Sequence, residues 1–124
     1  MTSAAGFKGK KGLSRLINAL GYSRDGLCSA WRNEAAFRQE ILLAAIAIPL
    51  AFLLGKNGTD RALMIGSILL ILIVEMLNSA LEALVDKASP EKNELAKRAK
   101  DMGSAAVLLA LFNAAVLWAC VLWP

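Results

Sequence analysis

Histidine is absent from the 124-residue chain, so no imidazole is on hand as base, acid or metal ligand. Cysteine occurs twice, at Cys28 and Cys120, flanking opposite ends of the apolar region, and two such residues build neither a disulfide framework nor a thiolate metal site. Aromatic residues make up 6% of the chain and do not interleave with a basic face, which argues against nucleic-acid binding. A P-loop is missing too. It needs four residues between two glycines and then Lys-Ser/Thr, and the opening MTSAAGFKGKKG does not supply that spacing. Nor is there a signal-peptide core, because after Phe7 the chain turns polar and basic.

What the chain has in quantity is apolar residues, 57% of the total, in long runs separated by a few polar blocks. A soluble bundle would need polar residues spread along each helix to cover its solvent face, so this distribution favours lipid as the solvent. The expected fold is an all-α membrane protein in one domain over residues 1–124. Residues 1–12 read as a mobile tail and about 13–34 as an amphipathic surface helix region. About 35–55, 62–85 and 102–123 read as transmembrane helices.

Leu13, Leu16, Ile17 and Leu20 share one helical face, with Arg15 and Asn18 off it, as in a helix lying in the interface. Gly21-Tyr22-Ser23 predicts an interruption. Ile41–Leu54 is an unbroken apolar run of 14 residues, about 21 Å as a helix, so one continuous helix from about Leu27 to Leu54 is expected, kinked or accommodated at Pro49. Trp118 and Trp123 read as an aromatic anchor closing the last span. Three spans put the N-terminal segment and the 86–101 loop on one side, with 12 of the 14 basic residues, and the positive-inside rule makes that side cytoplasmic.

Glu75, Asn78, Ser79, Glu82 and Asp86 stand at i, i+3, i+4, i+7 and i+11, on one stripe of the second span. An ionisable residue within a span costs several kcal/mol (roughly 2.5–3.5 for Asp at the helix centre), so such residues are rarely kept without a task. Asn78 and Ser79 also suit a purely structural role, as polar contacts between helices. Glu82 lies near headgroup level, and Glu75 is roughly 10 Å deeper. A carboxyl partly withdrawn from water at that depth suits a base that takes up a proton near neutral pH. Glu82 with Glu34 offers oxygen ligands for a hard cation such as Mg²⁺. Lys97, Arg98, Lys100 and Asp101 follow before the third span. A lysine there is first a topology signal, but beside a cation site it also suits a nucleotide phosphate. The residues thus point to an enzyme that brings a polyphosphate to a lipid. Ala106, Ala110 and Ala114 recur every four residues and allow close helix packing. Three helices enclose a polar site poorly, so a homo-oligomer is expected.

Three blocks then become recognisable together: Glu34-Ala-Ala-Phe-Arg-Gln-Glu40, Glu75-Met-Leu-Asn-Ser-Ala-Leu-Glu82 and Ala99-Lys-Asp-Met-Gly-Ser-Ala-Ala106. From about Gly6 to Trp123 the chain resembles the prokaryotic membrane-integral diacylglycerol kinase family. The resemblance implies a homotrimer in the bacterial inner membrane, with sites shared between subunits. It also implies MgATP as phosphate donor and diacylglycerol as acceptor, giving phosphatidic acid and ADP. By motif position, Glu75 would be the general base and Glu34 and Glu82 the metal ligands. Asn78, Lys100 and Asp101 would complete the catalytic and nucleotide site. Arg15, Tyr22, Glu91 and Asn93 fall at nucleotide positions of less distinctive sequence, and Trp31, Glu40 and Ser104 at lipid positions. Leu20, Arg24 and Cys28 lie outside the motifs and receive no catalytic role.

Three rival readings are a kinase for another lipid alcohol such as undecaprenol, a small multidrug transporter, and a non-enzymatic assembly subunit. The transporter would be expected to have four spans and gives no reason for a Glu82–Glu34 pair beside lysines, and the assembly subunit gives none for an embedded Glu75.

Overall fold

The computed structural model describes residues 11–124, and the tail reading of residues 1–10 lies outside them. Four α-helices follow one another: α1 (Lys11–Asn33), α2 (Ala35–Leu54), α3 (Gly58–Ala88) and α4 (Glu94–Leu122). The described residues contain no strand. Helices α2, α3 and α4 are each long and apolar enough to cross a membrane.

The ends of these helices follow from local chemistry. Asn57 opens α3, its Oδ1 accepting from the Asp60 N–H at 2.8 Å, while the Asp60 carboxylate accepts from the Lys56 N–H at 3.2 Å. These bonds satisfy amide groups at the start of the helix that have no intrahelical partner. Asn93 opens α4 in the same way, accepting from Ala96 N–H at 2.8 Å. Gly55 ends α2 in ordinary extended backbone. Its hydrogen is needed for space, since a Cβ there would sit 2.7 Å from Arg61 Cγ and 2.8 Å from the Ala51 carbonyl oxygen.

The structure differs from the sequence reading in several details: of the expected 86–101 loop only residues 89–93 lie outside α3 and α4. Helix α1 runs through Gly21–Ser23 without interruption, and the expected continuous helix from Leu27 to Leu54 is broken at Glu34. The break is held from the α2 side. Arg38 Nη1 donates to the Trp31 carbonyl at 2.7 Å and reaches the Arg32 carbonyl at 3.4 Å, placing a cation on the open C-terminal carbonyls of α1. Pro49 lies inside α2, which continues past it to Leu54.

Helix α3 is central and packs along α4 and against α2; α1 packs mainly against α2. The core is thin and built of small residues facing branched ones: Ala44 and Ala47 of α2, Ile68 and Ile71 of α3, Ala110 and Ala114 of α4. Of the alanine repeat in α4, Ala110 and Ala114 are buried and Ala106 is exposed. Trp118 does not stand outward like Trp123. It packs on this core, and its indole N–H donates to the Met64 carbonyl at 3.1 Å and to Ser67 Oγ at 3.2 Å. Leucines, isoleucines and phenylalanines elsewhere on the three helices point outward, Leu53, Leu77, Leu108 and Phe112 among them, as lipid-facing residues do.

Candidate active site

The acidic stripe of α3 passes from the packed interior to an open flank. Glu75 is 5% exposed, the only charged residue among the buried ones described. Beside it from α2 comes Glu40, half-buried, whose carboxyl lies within hydrogen-bonding reach of the Glu75 carboxyl. Two ionised carboxylates at that range repel, and a shared proton or a cation relieves the repulsion. Glu40 Oε2 is fully enclosed and has no hydrogen-bond partner.

One turn further along α3, Asn78 Nδ2 donates to Glu82 Oε1 at 3.1 Å. This bond fixes the Glu82 carboxylate and leaves Asn78 Oδ1 buried and unpartnered. The wall facing Asn78 is Gly103 of α4, where the two helices approach so closely that a Cβ would fall on Asn78 Oδ1. Sequence reasoning gave Gly103 no function of its own; the signal was a glycine inside an otherwise helical motif.

Helix α4 supplies the cationic side. Lys100 Nζ donates to Asp86 Oδ1 at 2.8 Å, which ties it to the far end of the α3 stripe. Lys97 Nζ donates to Asp101 Oδ2 at 2.7 Å, so Asp101 is held by its own helix. Where α3 ends and α4 begins, a cavity of about 690 Å³ is bordered by Asp86, Glu91, Asn93, Lys97, Lys100 and Asp101. Glu91, Asn93, Lys100 and Asp101 of the expected nucleotide set therefore meet around one space. Asn93 also has local work, since its Nδ2 donates to Ser89 Oγ while its Oδ1 caps α4.

Other expected residues are neither hydrogen-bonded to this cluster nor among those bordering the cavity. Glu34 is the single non-helical residue between α1 and α2, half-buried, in an extended conformation (φ −119, ψ 106) and with no cap bond from its side chain. Arg15, Tyr22 and Trp31 lie exposed on α1, and Ser104 is exposed on α4. Chemically, the assembled part offers one buried carboxyl, an oriented carboxylate two turns away, and ammonium groups around an open cavity.

Residues 21–122 match the family model for prokaryotic diacylglycerol kinase. The chain is similar to a diacylglycerol kinase of Pseudomonas aeruginosa, 55% identical over 97% of this chain and 98% of that one. It is also similar to that of Escherichia coli, at 51% identity over 90% of this chain and 92% of the relative. A third, from Haemophilus influenzae, is 49% identical over 90% and 95%.

Proposed function

This chain belongs to the prokaryotic diacylglycerol kinase family, and from that premise we propose how its residues divide the reaction. It is a multi-pass membrane enzyme that phosphorylates diacylglycerol at the expense of ATP, leaving phosphatidic acid and ADP. In the proposed mechanism Glu75 takes the proton from the lipid hydroxyl as its oxygen bonds to the γ-phosphorus, and the bond from that phosphorus to the bridging β-oxygen breaks to release ADP. Phosphoryl transfer needs positioning and charge neutralisation more than covalent chemistry. Lys100, Asp101, Glu91 and Asn93 would hold the nucleotide around their cavity, and Asn78 would keep Glu82 aimed. The observation that carries this reading is the burial of Glu75 in a membrane-crossing helix one turn from the Asn78–Glu82 bond.

Mg²⁺ suits the donor set. Among the described residues no three acidic, histidine or cysteine side chains converge, so the protein would give at most two carboxylates within one chain. Magnesium commonly binds through one or two carboxylates, with phosphate oxygens and water completing its shell. Glu34 and Glu82 would hold it, and when bound it would neutralise charge on the transferring phosphate. Trp31, Glu40 and Ser104 fall to the lipid side in this scheme, and Arg15 and Tyr22 to the nucleotide.

We place the enzyme in the bacterial inner membrane as a homotrimer with shared sites, N-terminus cytoplasmic and C-terminus periplasmic, α1 lying on the cytoplasmic surface. Support comes from the charge asymmetry of the loops, from the exposed apolar face of α1, and from the flank at Glu82 and Lys100, which a neighbouring chain would close. The test is phosphate transfer from ATP to a short-chain diacylglycerol in micelles. Glu75→Gln should lose at least about a hundredfold in kcat while the protein stays folded. Normal turnover by the folded variant would sink the general-base assignment.

A further inference from the structure

Helix α1 carries an arginine where its apolar stripe calls for a hydrophobic residue. Leu13, Leu16, Ile17, Leu20, Leu27 and Trp31 form one face of α1 and are each at least half exposed. The spacing from Leu20 to Leu27 and Trp31 makes position 24 a member of that stripe, yet it is Arg24. One and two turns further on, Cys28 and Arg32 follow along the edge where the apolar face gives way to the polar one. Along this edge runs an open groove of about 430 Å³, bordered by the exposed side chains of Arg24, Asp25, Cys28, Ser29, Arg32 and Asn33, all of α1 itself.

The electrostatics of the edge remain open to a ligand. The guanidinium of Arg24 stands 3.7 Å from the Asp25 carboxylate, with both side chains more than two-thirds exposed. That is a loose, hydrated pair of little strength. Arg32 pairs with no carboxylate among the described residues. Asn33 donates to the Ser29 carbonyl at 3.0 Å, keeping the polar wall in place.

We propose that Arg24 and Arg32 form a binding site for the phosphate headgroup of an anionic membrane lipid, separate from the site that phosphorylates diacylglycerol. It rests on the reading of α1 as a surface helix. With the leucine face in the acyl boundary, the Arg24 stem runs along apolar surface and its guanidinium rises to the phosphate plane. Arg32, two turns along α1, borders the same groove and brings a second guanidinium to it. Planar guanidinium groups bind phosphate oxygens two at a time, which suits headgroup phosphate better than a diffuse basic surface does.

The test uses the full chain in nanodiscs of equal phosphatidylglycerol and phosphatidylcholine, with retained lipid counted by native mass spectrometry. The native protein should retain the anionic lipid preferentially. Each of Arg24→Gln and Arg32→Gln should cut that preference by up to about fivefold, and Lys56→Gln, at the other end of the spans, should not. An undiminished preference in the double variant would overturn the proposal. So would its loss on adding inorganic phosphate at constant ionic strength, because a soluble anion would then be the ligand. Hydrogen exchange over Leu13–Trp31 in phosphatidylcholine nanodiscs reads the surface-helix assignment by itself. Protection there without headgroup preference overturns the phosphate site alone, and absence of protection overturns both.

Discussion

Gly103 and Asn78 meet so closely across α3 and α4 that a single added carbon on Gly103 would clash with the Asn78 side-chain oxygen and lie 3.3 Å from both Asn78 Cγ and Leu81 Cδ2. Gly103→Ala must therefore displace the Asn78 amide, which disturbs its bond to Glu82. Overpacking of this kind costs about 1–3 kcal/mol. We expect Gly103→Ala to lower activity about as much as Asn78→Ala, with the double variant little worse than either. Kinetics of the three folded variants checks this, and full additivity would show that the two residues act separately.

Glu40 should matter to turnover more than to nucleotide binding, because its carboxyl lies beside that of Glu75 and does not border the cavity at the α3–α4 junction. Glu40→Gln keeps a polar neighbour for Glu75 while removing an ionisable carboxyl. The expected result is a fall in kcat of about tenfold, within the range for acid–base groups, with the KM for ATP unchanged. A raised KM for ATP at constant kcat would place Glu40 on the nucleotide side instead.

Lys100 and Asp86 should separate by function. Their ion pair sits on an open flank and contributes little to folding. Asp86→Asn should leave thermal unfolding in micelles unchanged. If Lys100 holds a nucleotide phosphate as proposed, Lys100→Met should raise the KM for ATP by at least about tenfold, the loss of one charged hydrogen bond. An equal effect of both variants on KM would mean that the pair acts as one unit.

Arg38→Ala should uncap α1. Loss of its bonds to the Trp31 and Arg32 carbonyls should cost about 1 kcal/mol and speed amide exchange near the end of α1, leaving α3 and α4 protected. Uniformly faster exchange across all four helices would contradict a local capping role.

The parts of this architecture legible in the sequence are those governed by one-dimensional pattern. The three long apolar runs announced α2, α3 and α4, and seven-residue spacing put Glu75 and Glu82 on one face of α3. What was not legible depended on contacts between distant residues. A break at Glu34 leaves no periodicity signal, because a single non-helical residue is stabilised by an arginine four positions later. Trp118 looked like an interfacial anchor, and only the position of Met64 and Ser67 on the neighbouring helix turns its indole inward. The meeting of Glu40 with Glu75 likewise required the relative rotation of α2 and α3, which neither helix encodes alone.

Helix α3 is 31 residues long, about 46 Å of rod against a hydrocarbon layer of about 30 Å. It is therefore a rigid gauge, long enough to extend beyond that layer, that carries Glu75, Glu82 and Asp86 at fixed heights along one rod. The gap between the carboxylates is a count of residues, with no loop to absorb an error. A one-residue insertion between Glu75 and Glu82 would swing the second carboxylate by about 100°, onto another face of the helix. Along this stretch the protein should bear conservative substitution far better than any change in length.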